Sequence, residues 1–135
     1  GRIALSGWTG PDDELQRTWW SLVQEVVPPE VLEQSIASAM PGRERFRRRE
    51  TVEEALIDAG FRHVRTEERE YHFRYALDEY VEGLGAWVTG RFVRDMLGDA
   101  GWRSFLDRAH ARFRERFADP VNDFRRVLLA VATRP

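Results

Sequence analysis

The feature that most constrains this chain is a run of six apolar residues near its end, Val127–Ala132. Alternate residues of a strand point to opposite faces, and the run has no polar residue in either alternate set, so it predicts a strand with both faces buried. Such a strand needs a neighbouring strand on each side. Two other segments have strand character: Ile3–Ser6, which ends before Gly7, and Phe61–Tyr75. We therefore expect a sheet of about three strands, which would be incomplete by itself.

Helical patterns fill the intervals between these strands. Apolar residues at helical spacing predict a helix that Asp12 or Asp13 caps and that runs to about Val27, and a second helix from about Glu30 to Met40. The same spacing predicts a long helix over Leu77–Leu97 and another over 102–117. The fold class is thus α/β and helix-rich, with residues 1–135 forming a single unit.

A short helix is predicted before the second strand, at Thr51–Ala59. Thr51 and Glu54 have the spacing of a capping box. Gly60 suits the left-handed position just past the helix end. Within the strand that follows, the polar stretch Glu67–Glu70 predicts a bulge or a loop.

Composition excludes several classes of function. The chain has no cysteine, which excludes disulfides, thiolate metal sites and cysteine nucleophiles. All 21 basic residues are arginine, and 23 acidic residues give a net charge of −2, which disfavours a nucleic-acid partner. No apolar segment reaches the roughly 18 residues that a membrane helix needs. We expect a cytoplasmic protein with no membrane partner.

Few residues have the pattern of a catalytic site. The three histidines are not at metal-ligand spacing, so no metal site is predicted. His72 follows Glu70 by two residues on a predicted strand, which places both on one face and makes His72 the candidate general base. The alternative is ordinary polarity on an exposed strand.

Three tryptophans are candidates for substrate binding. Trp8 follows the first strand, and ligands of open α/β sheets bind at the carboxyl ends of strands. Trp19 lies on the apolar face of its helix, and Trp87 lies near several glycines. Each could contact a flat, apolar acceptor, and the alternative for each is core packing.

The segment Arg43–Arg49 contains five arginines. Such a cluster could contact phosphate or an acidic partner. The adjacent Glu44 and Glu50 favour a solvated loop instead.

Three segments resemble one known family. Gly1–Ser6 resembles the fifth strand of class I S-adenosylmethionine-dependent methyltransferases, and Thr51–Phe61 resembles the helix that leads into their sixth strand. Phe124–Ala132 resembles their seventh strand, which is inserted antiparallel between strands five and six. The resemblance implies a partial Rossmann-like methyltransferase fold, with strands five, six and seven present. Residues 12–40 and 77–118 would be helical insertions that form the lid and walls of the acceptor pocket.

The resemblance also implies a function and its partners. The chain would serve S-adenosylmethionine-dependent methyl transfer to a small-molecule acceptor. The family binds this cofactor through a glycine-rich loop after strand one and an acidic residue at the end of strand two. Neither element is found in these residues, so no cofactor-binding residue is assigned and the isolated chain is expected to be inactive. A missing N-terminal half or another chain would cover the strand edge at Arg2–Ser6, and a homo-oligomer is left open.

Two alternatives come from other classes of function. The first is a non-enzymatic module that binds an apolar ligand in an aromatic-lined cavity. The second is an interaction domain whose Arg43–Arg49 loop docks an acidic partner.

Overall fold

A computed structural model describes residues 1–10 and 12–135 as an α/β chain. The strands are β1 (Arg2–Thr9), β2 (Arg62–Tyr75) and β3 (Val121–Thr133). The helices are α1 (Glu14–Gln24), α2 (Pro29–Ala39), α3 (Arg49–Asp58), α4 (Leu77–Leu84) and α5 (Val88–Arg116), with a short 3-10 helix at Arg43–Phe46. The predicted fold class, α/β with a sheet of about three strands, is confirmed in this described part of the chain.

Internal contacts divide the described residues into two compact units. The sheet unit contains β1 together with Gly42–His72 and Phe124–Pro135. The helical unit contains Asp12–Pro41 and Phe73–Asp123, and so α1, α2, α4 and α5. The description as one domain over residues 1–135 stays a prediction.

β3 is the central strand of the sheet, whose order is β1-β3-β2. β1 pairs with β3 in antiparallel register, from Arg2 opposite Thr133 to Thr9 opposite Arg126. The register is one-to-one along this length, so the side chains of two paired residues lie on the same face of the sheet.

One face of the sheet packs on α3 and the other is more exposed. The buried face joins Ile3 and Leu5 to the core that contains Val52, Leu56, Leu128, Ala130 and Ala132. On the opposite face Val131 is 47% exposed and Trp8 is 64% exposed. The prediction that β3 is buried on both faces is therefore right for one face and wrong for the other.

The start of α3 differs from the prediction and its end agrees. The N-cap residue is Arg48, which makes no side-chain capping bond. Thr51 lies inside the first turn, where its hydroxyl donates to the carbonyl oxygens of Arg45 and Arg48 at 2.7 and 3.0 Å. The capping box of Thr51 and Glu54 is therefore wrong.

At the end of α3, Gly60 has φ +83°, the left-handed conformation predicted for it. The Phe61 amide donates to the Leu56 carbonyl oxygen at 3.0 Å, as in helices that end at glycine. The turn leads directly into β2 and places Phe61 against the core of the sheet unit.

β2 is one continuous strand, so a loop at Glu67–Glu70 is wrong, while a bulge there stays a prediction. Arginine side chains lie near Glu67, Glu68 and Glu70 of this strand. The pairs are Glu67–Arg69 at 2.8 Å, Glu68–Arg49 at 4.0 Å and Glu70–Arg126 at 3.9 Å.

The helical unit is built around α1 and α5. Asp13 and Gln16 form a reciprocal capping box at the start of α1, with bonds of 2.8 and 3.0 Å. The Trp19 ring meets the Phe105 ring edge-on, with centroids 5.5 Å apart. Its Nε1 donates to the Thr89 hydroxyl at 2.9 Å, which satisfies the buried indole.

The helix predicted over Leu77–Leu97 is broken in the structure. α4 ends at Leu84 and α5 begins at Val88, because the chain turns sharply between them. A Cβ on Gly90 would lie 2.3 Å from the Leu84 carbonyl oxygen, so this turn requires glycine. α5 also changes direction at Gly98, where φ is +67°. No helix in the described part of the chain is both long and apolar enough to cross a membrane.

Candidate functional site

An open groove lies at the carboxyl end of β1, within the sheet unit. Thr9 and Gly10 line it on one side, Glu44 and the segment 47–50 on the other, and Glu68 of β2 completes it. Its volume is about 400 Å³. Ligands of open α/β sheets bind outside the carboxyl ends of strands, so we take this β1-end groove as the candidate site.

Two hydrogen bonds fix the groove's shape. The Thr9 hydroxyl donates to the Arg47 carbonyl oxygen at 2.5 Å, and Arg47 Nη2 donates to the Gly10 carbonyl oxygen at 3.2 Å. Gly10 has φ +88°, a conformation that favours glycine. These contacts hold the segment before α3 against the end of β1, although the two are distant in sequence.

The groove contains charges of both signs. Arg47 Nη1 lies 3.6 Å from Glu44 Oε1, and Arg49 Nη2 lies 4.0 Å from Glu68 Oε1. Both distances exceed the roughly 2.7–2.9 Å of a charge-assisted hydrogen bond. The groove therefore holds arginine donors next to carboxylates without binding them tightly to those carboxylates.

Trp8 lies beside this groove in sequence and does not line it. Successive residues of a strand point to opposite faces of the sheet. Trp8 is therefore on the face opposite that of Ile3 and Leu5, which pack on α3. At 64% exposure the ring has most of its surface available for contact.

Trp19 and Trp87 belong to the helical unit. Trp19 is 1% exposed and lies in the core, which agrees with the alternative of ordinary core packing. Trp87 is the residue before α5 and is 39% exposed. A substrate-binding role for the three tryptophans stays a prediction.

His72 is exposed near the end of the sheet unit. Its ring stacks on Phe124, with centroids 6.1 Å apart and planes 28° apart. The Glu70 carboxylate, its expected partner, lies 3.9 Å from Arg126 Nε instead. The general-base role of His72 stays a prediction.

One polar cluster was not anticipated from the sequence. Asp78 at the start of α4 contacts His110 Nδ1 at 2.9 Å and Arg114 Nη2 at 2.7 Å. The hydrogen bond from Arg114 is the main cause that lowers the pKa of Asp78, and His110 adds to it. The spacing of His110 and Arg114, four residues apart on one helix face, was the available signal.

The described residues, 1–10 and 12–135, contain no group of three His, Asp or Glu side chains that could hold a metal ion. No protein-family model matches the chain, and none of the curated proteins is similar to it in sequence. The resemblance to methyltransferases therefore rests on Gly1–Ser6, Thr51–Phe61 and Phe124–Ala132 alone and stays a prediction.

Proposed function

We propose that this chain is the acceptor-binding portion of a class I S-adenosylmethionine-dependent methyltransferase. The order of the sheet is the single observation that carries the proposal. The final strand, β3, lies between β1 and β2 and runs antiparallel to β1. The resemblance implies this arrangement for strands five, seven and six.

Two further features support the proposal. α3 ends at Gly60 in the left-handed conformation and leads directly into β2, as the family's helix leads into strand six. The helical unit, Asp12–Pro41 with Phe73–Asp123, closely follows the two insertions expected at 12–40 and 77–118. In small-molecule methyltransferases such insertions surround the acceptor.

The chemistry would be direct transfer of a methyl group from the cofactor's sulfonium to an oxygen, nitrogen or carbon of the acceptor. Catalysis would depend mainly on alignment of the acceptor and exclusion of water. This chain's part would be to bind and orient the acceptor, either at the β1-end groove or at Trp8, which lies on the other face of the sheet. The cofactor would be held by residues outside this chain.

Cofactor binding by the longer gene product tests the proposal. We expect isothermal titration calorimetry with S-adenosylmethionine to show saturable binding when the upstream coding sequence is included. We expect none with residues 1–135 alone, which serve as the matched control. Failure of the longer product to bind the cofactor would remove the methyltransferase proposal.

A second candidate is a binding module for an apolar ligand, and one observation favours it. Trp8 and Val131 lie on the same face of the β1–β3 pair and are each about half exposed or more. Large exposed apolar side chains that share one surface often mark a binding surface. This function would require no cofactor, so quenching of Trp8 fluorescence by an aliphatic or aromatic ligand without S-adenosylmethionine would support it. Replacement of the other tryptophans by phenylalanine isolates the Trp8 signal.

A further inference from the structure

We propose that the β1-end groove binds an oxyanion, a carboxylate or a phosphate. The assignment of this oxyanion to the methyl acceptor rests on the proposed function. The site itself depends on the geometry of the sheet unit alone.

Arginine donors converge on the groove from one short segment. Arg48 and Arg49 are consecutive, exposed and on the groove's wall. A guanidinium presents its N–H groups as a planar fork that matches two oxygen atoms of a carboxylate or phosphate. Within the described residues the side chain of Arg48 has no hydrogen-bond or ion-pair partner, so its donors are available.

The groove is lined by as many glutamates as arginines, so its local charge depends on which of these side chains are less exposed to water. The Glu44 side chain is 78% exposed and that of Glu68 is 43% exposed. Glu50, the third acid of the groove, is also exposed, so water solvates all three carboxylates. The least exposed of these paired charges is Arg47, whose side chain is 29% exposed. Its guanidinium donates to the Gly10 carbonyl oxygen, which fixes the position of this cation in the groove.

The long ion pairs also favour a ligand. The Arg49–Glu68 distance of 4.0 Å is the limit for an ion pair and is too long for a hydrogen bond. An oxyanion that approaches to about 2.8 Å would form the stronger contact. The pair would then open or share its donors with little loss, because exposed ion pairs are weak.

Phosphate titration of the ¹⁵N-labelled chain tests the proposal, with NaCl used to hold ionic strength constant. We expect saturable shifts of the amides of Thr9, Gly10 and residues 47–50. The variant R48Q/R49Q should bind phosphate at least about tenfold more weakly, because it loses two charged donors. The matched control is R62Q/R65Q, which removes two exposed arginines of the same unit outside the groove and should bind as the parent chain does.

Absence of saturable shifts would overturn the proposal, as would an equal loss of binding in the two variants. A parallel titration with acetate distinguishes the ligand: tighter binding of acetate supports a carboxylate, and tighter binding of phosphate supports a phosphoryl group. The titrations need no S-adenosylmethionine. Phosphate binding by a protein that fails to bind the cofactor would therefore retain the oxyanion site and remove only its assignment to a methyl acceptor.

Discussion

Gly90 shows how a single residue shapes the helical unit. Its missing side chain lets α5 start against the end of α4, where a Cβ would lie 2.3 Å from the Leu84 carbonyl oxygen and 2.7 Å from Gly85 Cα. Backbone atoms at such distances cannot move aside without shifting the turn. The sequence showed glycines inside an apparent helix, but it could not indicate that Gly90 would lie against the end of α4.

We expect Gly90→Ala to lower the free energy of unfolding by about 1–3 kcal/mol, the usual cost of overpacking. Gly83→Ala is the matched control, because a Cβ at this position of α4 has no neighbour within 4 Å. That substitution should raise the free energy of unfolding by roughly 0.5–1 kcal/mol. Urea unfolding followed by circular dichroism measures both, and equal effects of the two substitutions would contradict the role assigned to Gly90.

The buried pair of Trp19 and Thr89 gives a second prediction at this scale. Thr89→Val removes the hydroxyl that accepts the indole N–H and leaves that donor buried without its partner. The expected loss is about 1–3 kcal/mol of unfolding free energy. Thr89→Ser keeps the hydroxyl and should lose less. A valine variant as stable as the serine variant would show that this hydrogen bond contributes nothing.

At the scale of elements, an ionic cluster ties α4 to α5. Arg114 donates to both carboxylate oxygens of Asp78, at 2.7 and 2.8 Å, and His110 contacts the same carboxylate. Since these contacts lower the pKa of Asp78 in the folded chain, the carboxylate stabilises the fold above its unfolded pKa of about 4. That contribution is lost as the pH falls through the lower, folded pKa.

We therefore expect Asp78→Asn to be less stable than the parent chain at neutral pH. The difference should shrink as the pH falls below about 4 and the parent carboxyl group is protonated. Thermal unfolding at a series of pH values measures it, with Glu79→Gln as the control for the loss of one exposed acidic residue next in sequence. A stability difference that does not vary with pH would contradict the assignment of the effect to ionised Asp78.

The boundaries of elements were predicted where local chemistry decides them. Gly60 after α3 was identified from residue type, and the start of α1 was narrowed to Asp12 or Asp13, of which Asp13 is the N-cap. The start of α3 was misplaced because Thr51 bonds to carbonyl groups instead of to free amides. A loop was one possibility at the charged residues of β2, and it was wrong. Arg49 and Arg126, which lie near Glu68 and Glu70, are outside the strand, and no local pattern reveals them.

At the scale of the whole molecule, β1 has one side that no described strand covers. Gly1 and Arg134 exchange two hydrogen bonds, so the register places the amides of Ile3, Leu5 and Gly7 towards β3. The alternate amides point towards the free edge of the sheet. These are the amides of Arg2, Ala4, Ser6 and Trp8.

Hydrogen exchange of the β1 amides can therefore test whether another strand covers this edge, without any assay of activity. In residues 1–135 we expect rapid exchange at Ala4 and Ser6 and slow exchange at Ile3 and Leu5. In the longer gene product that the proposed function requires, all of these amides should exchange slowly, because a further strand would pair with the edge. Continued rapid exchange at Ala4 and Ser6 there would contradict the expectation that another part of the protein covers β1.

The candidate site was only partly predictable at this scale. The Arg43–Arg49 cluster was singled out from sequence, but its position at the end of β1 was not. The groove depends on the bonds that join Thr9 and Gly10 to Arg47, which are 37 or 38 residues apart. Contacts at such separations follow from the register of the sheet and the placement of α3, and no motif encodes them.

The central position of β3 has a consequence for how the protein is made. β1 and β2 do not pair with each other, and each needs β3 as its neighbour. A ribosome that has produced β1 and β2 has therefore produced two strands of this sheet without their common partner. Formation of the sheet must wait for residues 121–133, and long-range pairing of this kind is slow. Until those residues emerge, the nascent chain holds β1 and β2 without the strand that lies between them, a state that chaperones would be expected to protect.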